Sequence, residues 1–183
     1  MTAQAQAARD SQANYDRYIG MTGEPKTAHT PLERDTLRRF AQAIMDPDPV
    51  YYDERAAKAS RFAQVVAPPL YPAHAFRTAA GAPDPFEIFA DNPDSDGTAG
   101  NEGMFYGLPE IPSPYKRLLN GGNELTFYRA LALGERCVVT PRYADVKLKE
   151  GKNGFILLVV VETTYRTEQG EMLLVNRQTL IWR

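Results

Sequence analysis

The rhythm of apolar and polar positions changes twice along the chain. Leu37, Phe40, Ala41 and Ile44 recur at helical spacing. Ahead of them, Thr30, Pro31 and Glu33 read as an N-cap, a first helical residue and the glutamate of a capping box. Pro47 and Pro49 deny the helix further donors, so it is expected to stop near Asp46. A short second helix, Glu54 to Ser60, is expected behind an Asp53 cap. A third is expected over Ala73 to Ala80, after Pro68, Pro69 and Pro72.

From Gly81 to Pro114 no period holds. Pro, Gly, Asp and Asn recur with aromatics between them (Phe86, Phe89, Phe105, Tyr106), which reads as a long insertion whose aromatic part docks on an apolar surface. The last third alternates with period two. Strands are expected at Glu124–Arg129, Cys137–Lys149, Phe155–Arg166 and Met172–Arg183. Turns are expected at Gly151–Gly154 and Gln169–Gly170, and the glycine-rich Asn120–Asn123 reads as a tight turn opening the sheet. Three long strands joined by short turns make an antiparallel meander, and the helical first half must cover one of its faces. The pattern alone gives α+β.

Composition narrows the function. The 183 residues suit one domain, read as a flexible N-terminus over 1–16 and a single domain over 17–183. A formal net charge of −2 argues against a nucleic-acid surface. The longest apolar run, Phe155–Val161, is too short to span a membrane. One cysteine, Cys137, and no secretory signal fit a reducing cytoplasm. With only His29 and His74 as histidines, the inventory argues against a metal site or a Cys/His nucleophile, and no phosphate loop is present.

The candidate chemistry lies in Phe40-Ala-Gln-Ala-Ile-Met-Asp46-Pro-Asp48-Pro49-Val-Tyr51-Tyr52-Asp53. With Val65-Val-Ala-Pro68-Pro69, Leu119–Arg129, Gly134-Glu-Arg136 and Val160–Tyr165 in this order, it resembles the MaoC-like, FAS1-like dehydratase and (R)-specific enoyl-thioester hydratase family over residues 17–183. The resemblance implies a hot-dog fold, a long antiparallel sheet wrapped around a central helix. It implies addition or removal of water across a double bond conjugated to a CoA or carrier-protein thioester, with no further cofactor, in acyl or steroid side-chain metabolism. The family motif runs Gly-Asp-x-Asn-Pro-x-His, its Asp/His pair activating water as base and then acid. Here Asp46 and Pro49 match, Met45 replaces the glycine, Asp48 the asparagine and Tyr51 the histidine.

A phenol with a pKa near 10 is a poor base at neutral pH. Three readings follow. In the first, the chain is the non-catalytic subunit of a heteromeric hydratase/dehydratase, shaping the acyl pocket beside a partner with an intact Asp/His pair. In the second, it is a self-sufficient homodimer using Asp46 with Tyr51, His74 or bound water. In the third, it is a non-catalytic acyl-CoA-binding homodimer. All three predict an oligomer. The resemblance places Asn123, Glu124, Pro68 and Pro69 near the substrate, and Arg129 and Arg136 could meet a CoA phosphate. From the residues alone, Asp46 could equally tie down a turn, Tyr51 and Tyr52 could pack as aromatics, and His74 could be a buried, hydrogen-bonded core residue. Asn123 and Glu124 could open a strand, and the two arginines could be surface charges.

Overall fold

The computed structural model describes residues 12–76, 81, 87–94, 107–115, 117–151 and 154–183. Five strands form one antiparallel sheet in the order β1-β3-β4-β5-β2: β1 Lys26–Thr27, β2 Leu118–Phe127, β3 Cys137–Gly151, β4 Gly154–Thr167 and β5 Met172–Trp182. The helices all precede β2: α1 Arg34–Ala43, a 3-10 turn Pro49–Tyr51, α2 Glu54–Ala59, α3 Tyr71–His74 and α4 Ile88–Asp91.

The meander β3–β4–β5 follows the expected strands closely, because β-branched and aromatic runs there alternate between glycine-bearing turns. On β4, Leu157, Val159, Val161, Thr163, Tyr165 and Thr167 all point into the covered face. That face carries two apolar clusters. At one end, Leu37 and Ala41 of α1, Val50, Tyr51, Ala57 and Tyr71 pack on Val65–Ala67, Leu131, Cys137, Val139, Tyr165 and Leu174. At the other, Tyr15, Tyr18 and Leu108 pack on Tyr143, Val146, Leu157, Val159 and Leu180.

Four expectations change. The first helix begins at Arg34 rather than Pro31. Leu32 instead accepts from the Gly134 N–H (2.9 Å) and donates its own N–H to the Glu135 carbonyl (2.8 Å), so this stretch is held extended against the 134–135 loop. The third helix spans only Tyr71–His74, and residues 77–80 of the expected helix lie outside the described residues. The stretch Asn120–Asn123 is part of β2 rather than a turn: the ladder slips between Asn120 and Gly122, forming a bulge in which Asn120 Oδ1 accepts from the Gly122 N–H at 2.9 Å. A Cβ at Gly121 would come to 3.0 Å from side-chain atoms of Ile181 and Thr179, which would have to give way.

Residues 12–16, assigned by pattern to the flexible N-terminus, form a helical turn docked on β3. The Gln12 amide donates to the Val146 carbonyl (2.8 Å) and accepts from the Leu148 N–H (2.7 Å). Residues 1–11 lie outside the described residues, as do Phe86, Phe105 and Tyr106 of the insertion; Phe89 is exposed on α4.

Among the described residues strand β2 is one edge of the sheet, and all but its first residue are exposed. Leu119, Leu125, Phe127 and the adjoining Tyr128 are exposed with it. A long, partly apolar edge is a template for another strand.

Candidate functional site

The C-terminus of α1 builds the site. The Met45 N–H donates to the Gln42 carbonyl (3.1 Å) and the Asp46 N–H reaches back to the Ala41 carbonyl (3.0 Å), which together are a Schellman closure. Its left-handed residue is Met45, at φ 55° and 87% exposed, at the position where the motif it resembles carries glycine. The closure throws Asp46 out of the helix and into a proline-stiffened turn. Asp48 caps the 3-10 turn by accepting from the Val50 N–H at 3.1 Å, and Pro49 starts that turn. Asp53 then caps α2 with bonds from the Arg55 and Ala56 N–H groups at 2.7 and 3.0 Å.

Within this turn both Asp46 oxygens are engaged. Oδ1 accepts from the Asp48 N–H (3.2 Å), and Oδ2 accepts from the Tyr51 hydroxyl (3.2 Å). The 3-10 turn points Tyr51 inward, where it is buried, while Tyr52 stays exposed and donates to the Pro47 carbonyl at 3.1 Å. Burial pushes the Tyr51 phenol up to about 12, and the Asp46 charge, its hydrogen bond and the Asp48 charge add to the rise. At neutral pH Tyr51 therefore carries its proton and gives a hydrogen bond. It cannot cycle as a base.

Arg38, Ala41, Gln42, Met45, Asp46, Pro47, Tyr51 and Tyr52 line an open cleft of about 500 Å³. Its walls are mostly apolar. Arg38 at the rim binds Asp35 and the Gln42 amide.

The remaining candidates lie elsewhere. His74 ends α3 and is exposed, which corrects the expectation of a buried core histidine. Its ring lies against Phe40, 5.0 Å between centroids, and it is not among the residues lining the cleft. Pro68 is buried and Pro69 exposed, at the end of a segment that pairs with residues 131–133. Asn123 and Glu124 lie on β2 opposite Gln178 and Arg177, beside a second hollow of about 360 Å³.

Arg129 clamps three segments. It binds Glu135 through two bonds of 2.5 and 2.8 Å, also binds Glu171, and donates to the Ala130 carbonyl at 2.9 Å. These hydrogen bonds, chiefly the one to Glu135, outweigh burial and hold its guanidinium above the usual range. Arg136 is half-exposed and 3.6 Å from Glu168. The structure thus brings Asp46 and Tyr51 together and disperses the other candidates. Arg38 and Gln42 join the site without having been singled out, although their helical spacing from Asp46 would have placed them on its face.

The sequence matches the family "FAS1-like, dehydratase domain region" over residues 17–175. A UPF0336 protein of Streptomyces avermitilis is 28% identical over 159 residues, which cover 87% of this chain and 89% of that protein. A probable enoyl-CoA hydratase alpha subunit of Thermomonospora curvata is 28% identical over 94% of this chain, which spans about half (51%) of that protein. Among solved structures, a chain of the ChsH1-ChsH2 complex from Mycobacterium tuberculosis superposes with a TM-score of 0.70 at 19% identity, covering 95% of this chain and 96% of that one. The α+β fold is the hot-dog fold. No helix among the described residues is long and apolar enough to cross a membrane. The chain belongs to the FAS1-like dehydratase domain family, the MaoC type of hydratases and dehydratases.

Proposed function

We propose that this chain is the non-catalytic subunit of a two-subunit hydratase/dehydratase acting on CoA or carrier-protein acyl thioesters. A partner subunit supplies the Asp/His pair, and this chain contributes the apolar cleft and a sheet edge. The observation that carries the reading is the Asp46–Tyr51 bond. Where the chemistry needs a group that takes and returns a proton near neutral pH, this chain holds a phenol fixed in its protonated form. The β2 edge supports a paired subunit. So do two similar proteins, one a probable enoyl-CoA hydratase alpha subunit and one a chain of the ChsH1-ChsH2 complex.

The test is to purify the tagged chain gently from its native host and to assay hydration of trans-2-enoyl-CoA thioesters of increasing chain length. The assay is run with the chain alone and with whatever co-purifies. Turnover is expected only from the pair. Turnover by the isolated chain that Asp46→Asn abolishes would overturn the proposal and return the chemistry to this cleft.

A further inference from the structure

The face of the sheet opposite the two apolar clusters carries a row of charges that runs to the β2 edge. Arg142 of β3 is in register with Glu162 of β4, Glu162 with Arg177 of β5, and Arg177 with Glu124 of β2. The signs alternate plus, minus, plus, minus across four strands. Arg142 binds one Glu162 oxygen at 2.7 Å and Arg177 binds the other, so Glu162 is saturated between them. At the inner end, Arg142 bridges to Thr22, which is neutral. At the outer end stands Glu124, exposed and with no ion pair among the described residues.

Beside Glu124, on the same face, lies the hollow of about 360 Å³ lined by Gly121, Gly122, Asn123, Glu124, Val160, Arg177 and Thr179. The bulge creates it, because two consecutive residues without side chains leave Thr179 and Val160 uncovered. A long aliphatic stem with a cationic head fits this shape, its methylenes over the glycines and its charge at Glu124.

We propose that the partner strand pairing with β2 presents a lysine or arginine in register with Glu124, extending the row across the subunit boundary. The proposal rests on the two-subunit reading above. Cross-strand opposite charges stabilise a pairing, and an unmatched charge selects against wrong partners. Within β2, Leu-Leu-Asn-Gly-Gly-Asn-Glu-Leu-Thr-Phe, there is no lysine or arginine, so a second copy would have to bring Arg117, which pairs with Arg183 just ahead of the strand, into register with Glu124. That self-paired register is the competing arrangement, and a wild type that brings only copies of itself is its signature.

The experiment uses the tagged full chain expressed in its native host as wild type, Glu124→Gln and Glu124→Lys. Intact-complex mass spectrometry reads the ratio of partner to chain, and thermal melting checks that each variant folds. The wild type is expected to retain an Asp/His-bearing partner, with Glu124→Lys lowering retention about tenfold or more and Glu124→Gln lowering it less. If Glu124→Lys perturbs folding, the Glu124→Gln loss and its disappearance at high salt carry the result. Equal retention by all three variants would overturn the charge-row proposal while leaving the two-subunit reading intact. A wild type that brings only copies of itself would overturn both.

Discussion

Tyr51 gives its hydroxyl hydrogen to Oδ2 of Asp46 across 3.2 Å, five residues back along the chain and on the same turn. The bond places a donor where the motif it resembles places a base. If its role is to hold the turn, removing it costs stability rather than chemistry. Tyr51→Phe is expected to lower unfolding free energy by about 1 kcal/mol. A shifted urea midpoint at unchanged slope would show this, and no shift would mean that the bond is solvent-exchanged and idle.

Burial of the same phenol, helped by the Asp46 charge and bond, sets an alkaline limit. Tyr51 is raised to about 12 in the fold, against about 10 when unfolded. Between these values the unfolded chain loses its proton first. The contribution is therefore fully present below pH 10 and is lost as pH rises through 12. Melting temperature measured from pH 9 to 12 should fall less steeply in Tyr51→Phe than in wild type. Burial raises Tyr143 as well, so the variant should flatten the fall rather than abolish it.

Met45 adopts φ 55° at the end of α1, a conformation that glycine takes without strain. Met45→Gly is expected to stabilise the chain by about 1 kcal/mol, less the entropy that glycine adds to the unfolded state. The side chain is 87% exposed, so little packing is lost. A calorimetric melting temperature above wild type would verify the strain. A lower one would show that the methionine wall of the cleft matters to the fold.

Arg129 joins the 129–135 loop to Glu171 by a forked contact that lysine cannot reproduce. Arg129→Lys is expected to destabilise by about 2 kcal/mol, a figure held down by partial exposure of the pair. Burial alone would raise Glu135, but the Arg129 guanidinium and the Ala132 N–H outweigh it and hold the carboxyl below its ordinary range. That contribution is present above the ordinary carboxylate range and lost as pH falls through the lowered value. An acid titration of the variant by circular dichroism should therefore show unfolding beginning at higher pH than in wild type.

Much of this was legible before any coordinates. The β3–β5 meander announced itself through Val, Ile, Leu and Tyr alternation broken at Gly154 and Gly170. Asp46, Pro49 and Tyr51 could be located by spacing, but not the bond between two of them, since a buried phenol and a packing phenol look alike in sequence. Asn120–Asn123 misled because two glycines suit a turn and a bulge alike, and the segment is drawn into the ladder by pairing with β5, some sixty residues on. Thr30 and Pro31 misled because tertiary pairing of Leu32 with the 134–135 loop overrides local capping. Arg129 read as a phosphate contact or a surface charge because its partners, Glu135 beyond a loop and Glu171 on another hairpin, meet it only in the fold.

Cys137 opens β3 at 1% exposure, and burial raises its thiol to about 12. At neutral pH it offers a reagent neither access nor a thiolate. Alkylation must therefore wait for molecules in which this end of the sheet has transiently separated from α1 and the 65–67 segment. As the sole cysteine of the chain, it makes labelling rate a direct clock for that local opening, readable by mass without any engineered probe. Slower labelling in the presence of a bound partner would show that pairing at the distant β2 edge steadies the end of the molecule that carries Asp46.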